Sequence, residues 1–145
     1  MQAEIRTAHA DDAEAIARLS RDSLGYDCTA ALVREKLCRA LGDDRQRVFV
    51  AVCDGQVAGF VHAEDYEVLY FDAMKNVLGL AVSPVYRRQG VGTALLLAVE
   101  NWARETGVHG VRLNSGMTRT DAHAFYRRNS YTDEKAQMRF IKTIE

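Results

Sequence analysis

Residues 76–82, NVLGLAV, form an apolar run that stops just short of the chain's only proline, Pro84. Two arginines and two spaced glycines follow in RRQGVG, and the next stretch sets Leu95, Leu96, Val99, Trp102 and Ala103 along one side of a helix ended near Gly107. A further β-rich run, GVRLNSG, comes after that helix. Strand, helix, strand in this order predicts a parallel strand pair joined by a right-handed crossover, with the helix packed on one face of the sheet.

The rest of the chain predicts antiparallel partners for that pair. In RVFVAVCDGQVAGFVHAE, Asp54-Gly55 separates two β-rich runs and suits the positive φ angles of a type I′ turn. EIRTA near the start reads as a short strand, and KAQMRFIKTI as a final strand with Met138, Phe140 and Ile144 on one face. Helical spacing places Ala13, Ile16, Ala17 and Leu24 on one helix, with a capping box between Asp11 and Glu14. It places Leu32, Val33, Leu37, Cys38 and Leu41 on one face of a second, ended at Gly42, and TDAHAFYRRNSY reads as a short late helix. The expected fold class is α/β: a mixed sheet with helices on both faces, in one domain spanning residues 1–145.

With 19 basic and 20 acidic residues, the chain has no global field to draw it to nucleic acid or anionic lipid. Cys28, Cys38 and Cys53 have no metal or C-x-x-C spacing, no apolar run approaches the ~18 residues of a membrane span, and the first residues lack a signal pattern. A cytoplasmic protein without nucleic-acid, membrane or metal partners is the expectation.

Gly90 and Gly92 stand where a strand has ended and a helix begins, so unpaired backbone N–H groups and the positive end of the helix dipole face outward there. Glycine admits a bulky anion close to the backbone, and Arg87 and Arg88 add charge at the rim. A phosphate or pyrophosphate fits such a loop. RQGVGTAL lacks the G-K-[ST] of a nucleoside triphosphate loop, and Leu95 stands where a dinucleotide fingerprint has its third glycine. Two glycines alone also fit a simple turn with solvated arginines.

Arg87-x-x-Gly90-x-Gly92, after AVSP and before an amphipathic helix, resembles the acetyl-CoA loop of the GNAT superfamily of N-acetyltransferases. The likeness extends to R-x-x-x-x-x-D-A-x-A-I at 6–16 and to AHAFYRRNSY, and so spans nearly the whole chain. R-x-D-A-H-x-F-Y at 119–126 and the closing RFIK are similar to small bacterial members such as aminoalkylphosphonate N-acetyltransferases. The resemblance implies a mostly antiparallel sheet whose parallel strands splay apart, with the pantetheine arm of acetyl-CoA in the gap beside Leu80, Ala81 and Val82. It implies that Val82 N–H polarises the thioester carbonyl, that the backbone of Gln89, Gly90, Val91, Gly92 and Thr93 holds the pyrophosphate beside Arg87 and Arg88, and that Tyr126 hydrogen-bonds the leaving sulfur. Acetyl transfer to a primary amine in a ternary complex is the implied reaction, with a small-molecule amine or a peptide N-terminus as acceptor; the family likeness also allows a homodimer. A non-catalytic acyl-CoA-binding domain is the alternative.

One departure motivates that alternative. Many members carry a carboxylate in the strand before the loop, where this chain has Leu78 and Gly79. The nearest acids, Glu64, Asp65, Glu67 and Asp72, lie in HAEDYEVLYFDAMKN, expected to be a strand end and a loop beside the acceptor pocket. Asp65 and Glu67 would then share one face and favour a cationic amine, with Tyr66 and Tyr70 as walls, unless the stretch is simply a solvated edge. His62 and His123 invite a base or metal assignment, but they have no partners at metal spacing and read first as structural or surface residues; Trp102 reads as core, and Arg127 and Arg128 as helix-end charges ahead of phosphate contacts. Asn129 is expected to take the left-handed turn that glycine often supplies in relatives.

Overall fold

The computed structural model describes residues 3–145. Two compact units emerge, one ending at Leu113 and one running from Asn114 onward. The first begins with β1 (Glu4–Thr7) and a 3-10 turn (Ala10–Asp12), followed by α1 (Ala13–Leu24) and α2 (Ala30–Leu41). Strands β2 (Gln46–Cys53), β3 (Gln56–Val68) and β4 (Phe71–Val82) come next, then a 3-10 turn (Pro84–Tyr86), α3 (Val91–Glu105) and β5 (Val111–Leu113). The sheet order is β1-β2-β3-β4-β5, antiparallel except for the parallel β4–β5 pair that α3 bridges. Among the described residues no helix is long and apolar enough to cross a membrane.

Local chemistry sets where these elements start and stop. Asp12, rather than the Asp11–Glu14 pair, closes the entry to α1: its carboxylate accepts from the His9 N–H at 2.7 Å and from both terminal nitrogens of Arg6. Asp11, one position earlier in the same 3-10 turn, is exposed and lies 3.7 Å from Arg34 instead. Gly25 ends α1 in the left-handed region at φ 77°, and the Thr29 hydroxyl opens α2 by accepting from the Leu32 N–H. The stripe that α2 buries is Leu37 and Ala40 with Val33 beside them; Leu32, Cys38 and Leu41 are exposed, so the packed face is rotated from the expected one. At Asp54-Gly55 both φ angles are positive, 52° and 75°, as the β2–β3 hairpin requires.

Helices cover both faces of the sheet. On one, Ala13, Ile16 and Leu19 of α1 and Leu37 and Ala40 of α2 pack with Val48, Val50, Phe60 and Ala81. On the other lies α3, with Leu95, Leu96, Val99 and Trp102 buried. Gly59 shows how close that second layer sits: a Cβ there would stand 2.8 Å from the Ala81 carbonyl oxygen and 3.1 Å from Leu95. Only hydrogen fits.

The segment expected to be a strand end and loop is instead a continuous hairpin, β3 running to Val68 and β4 starting at Phe71. Its two-residue connection, Leu69-Tyr70, has no positive φ, so it carries none of the glycine or asparagine that mark such turns in a sequence. Within it Asp65 lies opposite Lys75, whose side chain is 2% exposed. The Lys75 ammonium pairs with Asp65 at 2.5 Å and sits 3.7 Å from the centre of the Trp102 ring, so a desolvated cation is held by one carboxylate and one aromatic face. The expected final strand is absent: residues 131–145 belong to no helix or strand, and Met138, Phe140 and Ile144 are each about four-fifths exposed. Alternation alone does not make a strand without a neighbour to complete its hydrogen bonds.

Removing the carboxylate from this arrangement leaves a buried cation unpaired. Asp65→Asn is expected to destabilise the protein by about 1–3 kcal/mol, towards the lower end because Asp65 is itself partly exposed. Lys75→Met, which keeps an apolar stem on Trp102, should lose less. An unchanged urea midpoint in Asp65→Asn would show that the pair contributes nothing.

Candidate functional site

The chemistry of the first unit gathers where β4 gives way to α3. β3 and β4 pair residue for residue from Gly59↔Val82 to His62↔Gly79, then resume at Ala63↔Val77, which leaves Leu78 as an extra residue of β4. Such a bulge bends its strand and increases the local twist. On the other side, β5 pairs with β4 only from Lys75 to Val77. Beyond that point no strand among the described residues pairs with 78–82 on the β5 side, so the parallel pair is open there.

Hydrogen-bond alternation says which backbone groups face the opening. The Ser83 N–H donates to Ala58 at 2.7 Å, so Ser83 and Ala58 form a bonded position. Antiparallel positions alternate between bonded and non-bonded pairs, so Leu80 and Val82, at non-bonded positions against Val61 and Gly59, turn their N–H and C=O groups away from β3. The Val82 carbonyl is taken by the Ser23 hydroxyl of α1 at 3.1 Å. Leu80 and Val82 therefore present backbone donors along the opening, while Ala81, facing the α1–α2 core, is bound to β3.

The loop that follows is shaped by two residues in the left-handed region, Arg88 at φ 63° and Gly90 at φ 79°. Gly90 is the N-cap of α3 and offers no side chain to the first turn. Ala94 N–H reaches back to the Gly90 carbonyl, whereas Val91, Gly92 and Thr93 lie one turn too early for such a bond. Their N–H groups face the loop at the positive end of a 15-residue helix. Arg87, Arg88 and Gln89 are exposed around it, and neither arginine joins an ion pair among the described residues. A multiply charged anion suits this cradle.

The acids and aromatics expected around an acceptor do not converge. Asp65 is occupied by Lys75, and Glu67 shares its face, exposed. Tyr66 is on the opposite face, stacked 4.3 Å under the Arg112 guanidinium, and Tyr70 is 80% exposed at the hairpin tip against the edge of Phe71. The Tyr66 face instead carries a polar layer the sequence reading left out. Glu64 accepts from Asn76 at 2.8 Å, Asn76 accepts from Arg112 at 2.7 Å, and His62 contacts Gln46 at 2.8 Å. The only sequence signal for this layer is the period of two, His62, Glu64, Tyr66, on a strand otherwise rich in apolar residues.

The second unit contains α4 (Thr120–Arg128). Tyr126 packs edge-on to Phe125, 5.2 Å between ring centres, and to Tyr131 at 6.1 Å. Burial pushes its phenol above the ordinary value of 10, against a smaller opposing pull from Arg119. The turn after α4 is made by Ser130 at φ 69°, not by Asn129, whose side-chain amide instead donates to the Phe125 carbonyl. Arg127 pairs with Asp133, and His123 contacts the Gly116 carbonyl at 2.9 Å.

A family model described as the acetyltransferase (GNAT) family matches residues 13–131. The aminoalkylphosphonate N-acetyltransferase of Salmonella typhimurium is 26% identical over 142 residues, covering 97% of this chain and 91% of that protein. The aminoglycoside N(6')-acetyltransferase type 1 of Stenotrophomonas maltophilia is 32% identical over 146 residues, covering 97% and 94%. Among solved structures, an aminoglycoside N-acetyltransferase in complex with CoA superposes with a TM-score of 0.86 at 19% identity, over 98% of this chain and 95% of that one. At that identity the likeness is one of fold.

The Tyr126 shift has a direct readout. A phenol whose folded value is raised contributes stability that is complete below about pH 10 and is lost as pH rises through its folded value. In a spectrophotometric titration, the difference between wild type and Tyr126→Phe should therefore ionise above pH 10. A difference curve centred at or below 10 contradicts the burial argument.

Proposed function

Because the chain belongs to the acetyltransferase (GNAT) family, we propose that it transfers the acetyl group of acetyl-CoA directly to the primary amine of a small molecule. The observation that carries this reading is the continuity of donors from the open edge of β4 into the uncapped first turn of α3. An extended thiol arm ending in a pyrophosphate has that same sequence of needs: backbone partners along its amide groups, then N–H groups and arginines at its charged end.

In this reading Leu80 and Val82 bind the arm through their backbone, and side-chain identity matters little at Leu80, Ala81 and Val82. The Val82 N–H donates to the thioester oxygen, where charge develops as the amine attacks. Gln89 to Thr93 hold the pyrophosphate, with Arg87 and Arg88 at its rim. Tyr126 is assigned to the leaving sulfur on its motif, AHAFY. A phenol near ~10 and a thiol near ~8.5 already make full proton transfer uphill by about 2 kcal/mol, and the raised phenol increases that gap. Tyr126 thus acts as a hydrogen-bond donor to a thiolate. The curated relatives act on aminoalkylphosphonates and aminoglycosides, so small amines of both charge types are the acceptors to try.

Gly90→Val forces a branched residue into a left-handed position and places its methyls where an anion must approach. Acetyl-CoA affinity, measured by calorimetry, is expected to fall at least tenfold with the fold intact. Unchanged affinity removes the loop from the binding site. Tyr126→Phe should lower kcat by ~10²-fold while acetyl-CoA affinity holds; a fully active variant would make Tyr126 a packing residue. The acceptor class is read by thiol release from acetyl-CoA with aminophosphonates, aminoglycosides, polyamines and short peptides in parallel. Release with peptides alone would overturn the small-molecule part of the reading.

A further inference from the structure

Direct transfer needs a group that removes a proton from the acceptor ammonium, whose pKa is near the ~10.4 of lysine, and β4 offers no carboxylate where its open edge begins, at Leu78 and Gly79. We propose that His62 is this general base, taking the proton on Nδ1 while Asp43 and Gln46 fix its other nitrogen. The proposal rests on the acetyltransferase reading above and adds a residue to it.

The argument starts from a chain of three side chains. The Asp43 carboxylate accepts from the Gln46 amide nitrogen at 3.0 Å. That contact orients the amide, because an ionised carboxylate can only accept, so Gln46 must turn its nitrogen to Asp43 and its oxygen to His62. The Gln46 oxygen lies 2.8 Å from His62 Nε2. An amide oxygen only accepts, so Nε2 carries the hydrogen and Nδ1 keeps a basic lone pair. After Nδ1 takes up a proton, Nε2–H still donates to Gln46, and the chain of contacts is unchanged. This is the logic of a base oriented by a second polar group, built here from an amide relayed by a carboxylate.

Position supports the role. His62 lies directly opposite Gly79, on the strand whose open edge begins at the extra residue Leu78. Gly79 has no side chain, and even an added Cβ would meet nothing nearer than the Phe60 ring at 3.8 Å, so β4 sets no side chain against the imidazole at this pair. Three residues, about 10 Å of strand, separate Gly79 from Val82, a distance that an acceptor amine with one bridging water can span. Glu64, the carboxylate of this layer, is two pairs further from the opening and already accepts from Asn76.

The electrostatic setting agrees. Burial lowers the His62 pKa below its ordinary 6.5, partly offset by Glu64 on the same strand face. Asp43 is pushed down to about 2 by its bonds from Gln46 and Arg45, and so is ionised throughout the working range. The charged groups around His62 are thus Glu64 on β3, Asp43 before β2, and Arg112 on β5 beyond Asn76. β2 contributes Gln46 and Val48, β4 contributes Gly79 and Asn76, and the buried residues of α1 and α2 are apolar. The imidazole is neutral at pH 7, ready to accept.

The step balances simply. Nδ1 takes one proton from the ammonium; the neutral amine forms the C–N bond as the C–S bond breaks; the second proton lost by nitrogen goes to the departing thiolate; and His62 returns its proton to solvent. Three measurements test this. Long-range 1H–15N NMR of the wild-type protein should show His62 as the Nε2–H tautomer, and Gln46→Leu should give a mixture; an Nδ1–H tautomer in wild type overturns the proposal. His62→Gln, with unchanged acetyl-CoA affinity, should lose ~10²-fold or more in kcat. In wild type kcat/KM should fall on the acid side below pH 6.5, and in His62→Gln that limb should vanish, the rate rising with pH toward the pKa of the amine. Normal turnover or an unmoved acid limb in His62→Gln sinks the base while leaving the acetyltransferase reading intact. Tight acetyl-CoA binding with no thiol release from wild type on any amine sinks both.

Discussion

A peptide group inside a sheet must find a partner, and β4 is the strand on which that requirement is left half met. From Gly79 to Val82 it pairs with β3 on one side and, among the described residues, with no strand on the other. Most of the first unit can be understood as holding this edge in place while leaving it unfilled. The α1–α2 layer packs Phe60 and Ala81 from one face, α3 presses on Gly59 from the other, and Ser23 ties off the Val82 carbonyl. An exposed sheet edge is ordinarily a liability. Here it is short, bent by a bulge and flanked by a charged loop, features that restrict what can pair with it.

Two kinds of polar burial support the edge in different ways. On the α3 face, Lys75 is enclosed between Asp65 and Trp102, with the Arg47 guanidinium 5.0 Å from the same ring centre. That cluster cross-links β3, β4 and α3 just behind the point where β5 departs. On the α1–α2 face, Gln46, His62, Glu64, Asn76 and Arg112 form a layer that is hydrogen-bonded yet only partly buried. The first arrangement encloses its charge and fixes geometry. The second keeps titratable groups near solvent and near the opening, where chemistry can use them.

How much of this could be read from the sequence follows from the range of each signal. The Asp54-Gly55 hairpin and the strand–loop–helix of 76–103 are local and specific, and both appear as expected. The β3–β4 hairpin was hidden because Leu69-Tyr70 looks like strand interior rather than turn. The final strand was overread, since Met138, Phe140 and Ile144 alternate as a strand would, but alternation says nothing about whether a neighbour is available. His62 was legible only as a lone histidine. Its significance depends on Gln46 and Asp43, 16 and 19 positions earlier, and on the absence of a side chain at Gly79 across the sheet. Asp65 shows the converse, an acid whose local context favoured an open pocket while its cross-strand partner was a buried lysine.

Leu78 gives β4 an odd count. Before it Val77 and Lys75 face α3; after it Leu80 and Val82 do, although plain alternation from Val77 would have assigned that face to Gly79 and Ala81. The strand is thus two half-strands of opposite phase, joined at one residue. Loss of a single residue there inverts every side chain from Gly79 onward or restores continuous pairing at the cost of the bend, whereas loss of two preserves the faces but shifts the following loop by about 7 Å of rise. For this stretch of chain, tolerance to change is governed by parity: a substitution at 78 alters one exposed side chain, and a one-residue deletion redraws the site.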